Sequence, residues 1–397
     1  MSNRSYSNRL IPAGIIFAII GLAACDGPNM PTYNGDAEDP FPVYTDPPEL
    51  LQIIPEAGFP GDEATVIGVG FKADPKQNLI NIGTGTADIL EISENEARIR
   101  VPHNDNGERR VRASVWGSDL WSNELLYKYL DDFFEMGMDA MNPGGVSIDD
   151  EGSFYFSSID DQAVYRVDVL DSTISTYASL PVRGPMEFGP DNRLFVVTTD
   201  GLVSIPEGGG SYDVEIAISN LHHFDWHSNG DIYLLHGNSV SRYSNGQLVS
   251  GLGAVAQQST RMRVFDGFVY VAELIRSRVV RFEITGDGLG PLQLYANIGT
   301  PLAGLDIDAN GNVYASGFIR EYVFKIRPDR EDDSDVDMIP NEADQANPFR
   351  SIEDRVVDIY IHNTVMYLVQ NRGSSGQIGK IWRIFIGEPA APKAGRE

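Results

Sequence analysis

The chain has 397 residues and a formal net charge of -27, with 40 glycines, 23 prolines and a single cysteine. So acidic a surface repels nucleic acid and anionic headgroups, which argues against DNA or RNA as a partner. The glycine and proline content beside 42% hydrophobic residues predicts many short strands and turns rather than a disordered chain.

The first segment has the features of an export signal. Two arginines precede an apolar stretch over residues 10–22, which is too short for an ordinary transmembrane helix. Leu22-Ala23-Ala24-Cys25 resembles a bacterial lipobox, at which a lipoprotein is acylated on its cysteine and cleaved before it. The resemblance implies a signal peptide over residues 1–24 and a lipid anchor on Cys25. A plain secretory signal with a chance cysteine is the alternative.

Residues 25–48 predict an extended tether between that anchor and the folded part, because they hold six prolines and little apolar periodicity. The membrane is therefore an expected partner, through the lipid. Asp26 after the cysteine would retain a lipoprotein in the inner membrane under the enterobacterial rule. In Bacteroidetes-like bacteria acidic residues there accompany surface export. We expect the outer membrane or the cell surface rather than the inner membrane.

Residues 49–129 predict a β-sandwich of about seven short strands separated by turn residues. Ile54-Pro55-Glu56-Ala57-Gly58 leads to Gly61-Asp62-Glu63-Ala64-Thr65-Val66-Ile67-Gly68 and then to Gly70-Phe71. This order of residues resembles the IPT/TIG family, whose members are immunoglobulin-like domains. The resemblance implies an Ig-like fold for the whole segment.

Residues 130–388 form the next predicted domain, and within it residues 143–388 repeat one phrase six times: an alternating apolar run, a turn, and a second run with an aromatic residue. The aromatic residues are Tyr155, Phe195, Tyr233, Tyr270, Tyr314 and Tyr367. Repeats of this period predict blades around an axis, because a single blade cannot bury both of its faces. The phrases resemble NHL repeats, which implies a six-bladed β-propeller. The expected fold class is all-β, with the Ig-like sandwich followed by the propeller.

The sixth repeat lacks a fourth strand, because the chain turns at Pro389 into a charged C-terminal tail over residues 389–397. A strand of the missing type, Phe133-Phe134-Glu135-Met136-Gly137, lies before the first repeat. We expect it to pair near Trp382 and complete the last blade, since an open blade would expose an unpaired edge.

Propellers bind ligands at one mouth of the axial funnel, where the innermost strands begin. The candidate ligand-binding residues at these positions are Arg183, His222, His223, Arg261, Asp354 and Arg355. The three arginines could hold a carboxylate, a sulfate or an acidic sugar. Alternatively, they pair with Glu187, Glu353 or Asp354 and join the blades.

Two patterns raise the question of a metal. His223, Asp225 and His227 share one face of a predicted strand, but at about 6.6 Å spacing they need help from other blades to hold one ion. The acidic loop over residues 328–348 resembles part of a calcium loop, although Met338 replaces the turn glycine. A solvated loop is the alternative. We expect no cofactor, with calcium as the alternative.

Lactonases and gluconolactonases are six-bladed enzymes that hold calcium or zinc on the axis and open with an acidic Glu-Gly-Pro phrase. Here Arg183-Gly184-Pro185 has arginine in place of that metal ligand. We therefore favour a non-catalytic protein over an enzyme of this type.

The IPT/TIG resemblance implies a partner, because such domains occur in lipoproteins that capture polysaccharide beside outer-membrane import systems. Trp116, Trp121 and Trp226 are candidates for stacking on sugar rings, although core packing is the usual role of tryptophan. We favour glycan capture by a lipid-anchored propeller. The alternatives are an envelope protein–protein scaffold and a metal-dependent lyase or lactonase-like hydrolase.

Overall fold

The computed structural model describes residues 46–104, 107–130, 133–137, 142–168, 173–286, 288–318, 322–339, 356–371 and 379–393. These residues form strands and turns, with single 3-10 turns at Pro75–Gln77 and Pro190–Asn192. Within the described ranges, no helix is long and apolar enough to cross a bilayer. The predicted signal peptide, Cys25 and most of the tether lie outside the described residues, as do Asp354 and Arg355.

The first part of the described chain is a sandwich of two sheets. Its strands are β1 (Glu49–Ile54), β2 (Ala57–Gly58), β3 (Glu63–Val69), β4 (Asn78–Ile82), β5 (Gly85–Thr86), β6 (Asp88–Ile92), β7 (Glu96–Arg100), β8 (Gly107–Val115) and β9 (Leu125–Tyr129). One sheet has the order β1-β3-β7-β6 and the other β2-β9-β8-β4-β5. Val66, Ile80, Val111 and Tyr127 are buried between them, because alternate side chains of each strand face the partner sheet.

After the sandwich come strand β10 (Phe133–Gly137) and six antiparallel sheets, which are the blades of the propeller. Five of these sheets have four strands, counting β10 in the last one, and blade 4 has a fifth, short strand. Blade 1 has β11 (Pro143–Ile148), β12 (Phe154–Ser158), β13 (Ala163–Val167) and β14 (Ile174–Ser179). Blade 2 has β15 (Val182–Phe188), β16 (Leu194–Thr198), β17 (Gly201–Ile205) and β18 (Asp213–Ala217). Blade 3 has β19 (Leu221–Trp226), β20 (Ile232–His236), β21 (Ser239–Ser244) and β22 (Gln247–Ala254).

The remaining blades follow in chain order. Blade 4 has β23 (Ser259–Phe265), β24 (Phe268–Glu273), β25 (Arg278–Thr285) and β27 (Gln293–Asn297), with the short β26 (Gly288–Leu289) also beside β25. Blade 5 has β28 (Leu302–Ile307), β29 (Val313–Gly317), β30 (Val323–Ile326) and β31 (Asp337–Ile339). Blade 6 has β32 (Val356–His362), β33 (Val365–Gln370) and β34 (Lys380–Phe385).

The ring is closed by β10, and this prediction from the sequence is confirmed. The backbone of Phe133 pairs with Ile384, that of Glu135 with Trp382, and that of Gly137 with Lys380. The sheet order β10-β34-β33-β32 makes β10 the outermost strand of blade 6. Blade 6 thus joins the two ends of the propeller chain, which leaves β34 with a partner on each side.

The repeated phrase has a structural cause at the hairpin turns of blades 1 and 5. In blade 1, Asp149 Oδ1 accepts hydrogen bonds from the backbone N–H of Ser153, and Tyr155 donates to Asp149 Oδ2 over 3.0 Å. Tyr314 donates to Asp308 in blade 5 over the same distance. The aspartate holds the turn and the aromatic hydroxyl completes its hydrogen bonding. The stretch from Asp308 to Asn312 is therefore the hairpin turn between β28 and β29.

Part of the predicted acidic loop is a strand. β31 supplies the outermost strand of blade 5 and pairs with β30. Asp335, just before it, lies 3.4 Å from Arg327, and Asp337, its first residue, lies 3.1 Å from the same guanidinium. Residues 340–348 of the loop lie outside the described residues. Asp335 and Asp337 in the described part of the loop thus face an arginine.

The sandwich packs directly against the propeller. Phe59 is buried in one core cluster with Val146 and Tyr367, and its ring stacks on Phe385 at a centroid distance of 6.0 Å. Thr364 in blade 6 donates a hydrogen bond of 2.7 Å to Asp62 of the sandwich. The two parts therefore share a hydrophobic contact and a buried polar contact.

Candidate functional site

The six innermost strands of the blades surround the axis, and every second residue of each strand faces it. Equivalent positions in the six strands form one ring, which we call the axial ring. Its members are Ser147, Glu187, Asp225, Arg263, Asp306 and Tyr360. Five of the six carry a charge or a phenol hydroxyl, so the axis is polar although it is buried.

Arg263 is the centre of the axial ring. Its guanidinium lies 3.2 Å from Glu187, 3.4 Å from Asp225 and 2.9 Å from Asp306. All four side chains are almost completely buried. A guanidinium carries five N–H donors in a fixed plane, so one arginine can serve carboxylates from three blades. Arg263 therefore joins blades 2, 3, 4 and 5 across the axis.

Lys393 reaches the same carboxylates from the C-terminal tail. Its ammonium lies 3.2 Å from Asp306 and 3.8 Å from Glu187. The tail is fixed beside blades 5 and 6, where the backbone N–H of Ala390 donates to Asn363 and that of Ala391 donates to Ile307. The tail thus closes the end of the axis opposite the predicted mouth.

The axial cluster contains three carboxylates and two cations, Arg263 and Lys393. With all three carboxylates ionised, its net charge is therefore -1. Burial raises the pKa of Asp225 to about 7, Arg263 opposes this rise, and the charge of Glu187 adds to it. Protonation of Asp225 would make the cluster neutral, which is the favoured state for groups removed from water.

Hydrogen bonds between neighbouring blades use the same side chains. Asp225 Oδ2 accepts from the backbone N–H of Val264 at 2.6 Å, and Asp306 Oδ2 accepts from that of Ile361 at 2.6 Å. Asp225 and Asp306 are therefore satisfied by cations and backbone donors of the chain itself. Glu187 Oε1 has no hydrogen-bond partner among the described residues and faces the Lys393 ammonium at 3.8 Å. In the part of the chain that the structure describes, no group of three or more His, Cys, Asp or Glu side chains could hold a metal ion.

Arg261 lies one ring closer to the mouth and is buried. Its Nε donates to Asp358 of blade 6 over 2.7 Å, and another guanidinium nitrogen donates to the backbone O of Gly144 in blade 1 over 3.3 Å. The sequence left two roles open for Arg261, ligand binding or an ion pair that joins blades. The structure shows the ion pair. Its partner is Asp358 and not one of the three acids expected from the sequence.

His223 is buried beside the axis and not at the rim. Burial lowers its pKa well below the usual range, and Arg261 and Arg263 lower it further, so the ring is neutral. Its Nδ1 has no hydrogen-bond partner among the described residues. The axial cavity next to it has room on the order of one water molecule. The described axis therefore has no room at this level for a group larger than a water molecule.

Arg183 and His222 stand at the mouth itself. Arg183 is exposed and forms no ion pair with any of the described residues, whereas His222 is half-buried. Burial lowers the pKa of His222, and the nearby charges of Arg183 and Arg261 lower it further. Arg183 thus places an exposed cation in the described part of the mouth. The neutral imidazole beside the exposed guanidinium can donate or accept one hydrogen bond.

The remaining sequence candidates are placed elsewhere. His227 occupies the turn position that Asp149 has in blade 1, and its Nδ1 accepts from the backbone N–H of Asn229 at 3.3 Å. Asp225 and His223 face the axis at successive levels. Trp226 is buried and packs edge-to-face on Phe195 and Phe224, so its role in sugar stacking is corrected to core packing.

Sequence reasoning missed Arg263, Asp306, Asp358 and Lys393 as axial residues. Period-two alternation from Arg261 places Arg263 on the same face of its strand, and this signal could have found it. Lys393 follows a proline-containing tail with no periodic pattern, so only the folded chain shows its position.

The domain model described as IPT/TIG matches residues 48–129. A search of curated proteins found no match to the sequence. Solved structures do match. A protein of unknown function from Bacteroides thetaiotaomicron is 14% identical, with a TM-score of 0.53 over 85% of this chain and 98% of the other. An auxiliary nutrient binding protein from Bacteroides ovatus is 14% identical, with a TM-score of 0.50 over 85% and 98%.

A calcium-binding protein, regucalcin, from Agrobacterium tumefaciens is 12% identical, with a TM-score of 0.53 over 66% of this chain and 96% of the other. Identities this low establish the shared fold alone. The chain therefore joins an IPT/TIG domain over residues 48–129 to a six-bladed β-propeller with the architecture of NHL-like and regucalcin-like proteins.

Proposed function

We propose that this protein is a non-catalytic binding protein of the cell envelope, anchored by lipid on Cys25, whose propeller mouth captures an acidic polysaccharide. The observation that carries the proposal is the contrast between Arg261 and Arg183. The first is neutralised by Asp358 at 2.7 Å, whereas the second is exposed at the same mouth without an ion pair among the described residues.

An acidic glycan suits this mouth for electrostatic reasons. The chain carries a net charge of -27, so an anion that binds here must find a local cation. Arg183 offers a planar fork that matches a carboxylate or sulfate, and His222 lies within its field. A uronic acid or a sulfated sugar supplies the anion and repeats it along the polymer.

A non-catalytic role is supported by the state of the axial acids. Arg263 already binds all three of them, Glu187, Asp225 and Asp306. Lys393 also binds Glu187 and Asp306. Carboxylates engaged in this way are poor metal ligands, because the cations would have to leave first. The auxiliary nutrient binding protein from Bacteroides ovatus has a similar fold, which agrees with a binding role.

The lipid anchor is part of the proposal and has its own test. Cells that express the chain would be fed with labelled palmitate, and the label should appear on the protein. The Cys25→Ser variant should lose the label and leave the membrane fraction. Label that persists in this variant would contradict anchoring through Cys25.

Glycan capture is tested by calorimetry with polygalacturonate as the acidic polymer and amylose as the neutral comparison. The chain from Cys25 onward contains the whole compact unit, Tyr44–Glu397. Arg183→Ala should weaken binding of polygalacturonate by roughly tenfold or more, the usual effect of losing a charged hydrogen bond. Arg110→Ala, which removes an exposed arginine of the sandwich, should leave the affinity unchanged.

Three outcomes would count against the proposal. Equal affinity for amylose and polygalacturonate would remove the electrostatic argument. Absence of binding to any polysaccharide would favour the envelope protein–protein scaffold. Shortened polymer after incubation, or stoichiometric metal in the purified protein, would favour a lyase or hydrolase.

A further inference from the structure

A patch of exposed apolar side chains lies in the turn between β8 and β9 of the sandwich. Trp116 is 77% exposed, Leu120 65% and Trp121 37%. We call these three residues the tryptophan patch. Large apolar side chains that cluster on a surface mark a site of interaction with another molecule or a membrane.

The tryptophan patch lies at the end of the sandwich where the described chain begins. The backbone N–H of Leu50 donates to the Asn123 side chain over 2.7 Å, and the Asn123 amide donates back to the Leu50 backbone over 2.8 Å. Asn123 follows Trp121 by two residues. The first residues of β1 and the patch are therefore neighbours.

The propeller contacts the opposite end of the same strands. β1 and β9 both start beside the patch, and the chain after each leads to the propeller contact. Asp62, which follows β1 and β2, binds Thr364 of blade 6. The backbone N–H of Leu130, directly after β9, donates to Gly58 beside Phe59. The sandwich thus has one end at the propeller and one at the tryptophan patch.

We propose that the tryptophan patch rests on the membrane that carries the lipid of Cys25, so that the sandwich stands on the bilayer and holds the propeller away from it. The inference depends on the lipid anchoring proposed above. Residues 26–45 separate Cys25 from the described chain and span at most roughly 70 Å. A tether of this kind keeps the nearby patch at high effective concentration beside the bilayer.

The side chains around the patch suit the bilayer interface. Tryptophan favours the headgroup level of a membrane, because its ring is apolar and its N–H is polar. Lys76 lies in the 3-10 turn Pro75–Gln77, and Gln77 of this turn accepts a hydrogen bond from the backbone of Trp116. Asp119 in the patch turn is also exposed, so the contact is an interfacial one and does not reach the acyl core.

The distribution of tryptophan allows a direct experiment. The chain has four tryptophans, and Trp226 and Trp382 are buried with exposures of 4% and 1%. Quenching from the bilayer therefore reports on Trp116 and Trp121. The single cysteine, Cys25, can be coupled to a maleimide lipid in phosphatidylcholine vesicles whose acyl chains are brominated next to the headgroup.

We expect coupling to shift the tryptophan emission to the blue and to quench it, relative to vesicles without bromine. Trp116→Ala and Trp121→Ala should each lose part of the quenching, and the double variant should lose nearly all of it. Leu120→Ala should reduce it without removing a fluorophore. Val214→Ala, an exposed apolar side chain on blade 2, is the matched control and should quench as the parent does.

Emission that is the same with and without bromine would overturn the inference. Quenching that survives in the double variant would also overturn it, since the contact would lie elsewhere. A blue shift of Trp116 and Trp121 with free oligosaccharide, but none with vesicles, would make the patch a sugar platform instead. The vesicle experiment couples Cys25 to lipid chemically, so its outcome does not depend on whether cells acylate Cys25. The palmitate experiment tests that acylation separately.

Discussion

The axis and the mouth of the propeller contain the same kinds of side chain in opposite situations. On the axis, Arg263 is buried and contacts three carboxylates, and Arg261 above it is buried against Asp358. At the mouth, Arg183 is exposed and has no ion pair with a described residue. A buried charge is stable only when another group of the chain pairs with it. An exposed charge is solvated by water and remains available to bind a ligand.

Burial, and not residue type, therefore separates structural arginines from a candidate binding arginine in this protein. The axial cations tie the blades to one another, and Lys393 adds the C-terminal tail to the same cluster. We therefore expect substitutions of the buried axial residues to change stability, and substitutions of exposed residues at the mouth to change ligand binding alone.

The largest effect is expected from Arg263→Met. This substitution leaves Glu187, Asp225 and Asp306 buried with Lys393 as their only cation, and breaking a buried ion pair from one side costs about 3–5 kcal/mol. Urea unfolding followed by near-UV circular dichroism measures the change. The exposed Arg110→Met is the control. A loss below about 1 kcal/mol would mean that the axial cluster does not join the blades.

Lys393→Met should destabilise the protein by less, about 2 kcal/mol, because the end of the chain can move away and admit water to the carboxylates. The same unfolding experiment applies, with Lys76→Met as the exposed control. Unfolding at the same urea concentration as the parent would show that the tail does not contribute to the axial cluster.

Asp225→Asn tests the charge balance through pH. Since burial raises the pKa of Asp225 from 3.8 to about 7, the folded state holds a proton that the unfolded state releases. Its stabilising effect is complete below about pH 4 and is lost as the pH rises through about 7. The variant cannot lose this proton. Between pH 5 and pH 8 the free energy of unfolding of the parent should fall relative to that of the variant, by on the order of 2 kcal/mol.

The control for this experiment is Asp119→Asn, which changes an exposed aspartate of the sandwich. Its stability should follow that of the parent across the pH range. If the stability curves of Asp225→Asn and the parent are parallel from pH 5 to pH 8, Asp225 is ionised in the folded state and the axial ring carries a net negative charge.

The smallest effect on stability is expected from Arg183→Ala, within about 0.5 kcal/mol, because its guanidinium is exposed. The same variant is the one expected to lose affinity for polygalacturonate. A clear loss of stability in urea would contradict the comparison, since Arg183 would then be a structural arginine like Arg261.

Local patterns in the sequence were sufficient for the fold. The recurring turn and aromatic residues predicted six blades because each repeat builds a hairpin from its two innermost strands. In blades 1 and 5, Tyr155 and Tyr314 bind the turn aspartate of that hairpin. The IPT/TIG motif predicted the sandwich. Closure by residues 133–137 could be predicted because a missing outer strand in one repeat requires a donor elsewhere in the chain.

The partners of the charged side chains were decided by the tertiary structure alone. Arg183 and Arg261 belong to equivalent stretches of their repeats, yet one is exposed and the other meets Asp358 from two blades away around the ring. Lys393 and Asp306 are distant in sequence and adjacent on the axis. Repeats determine local backbone structure through short-range contacts. Which charges meet depends on how the ring brings distant residues together, and no local pattern encodes that.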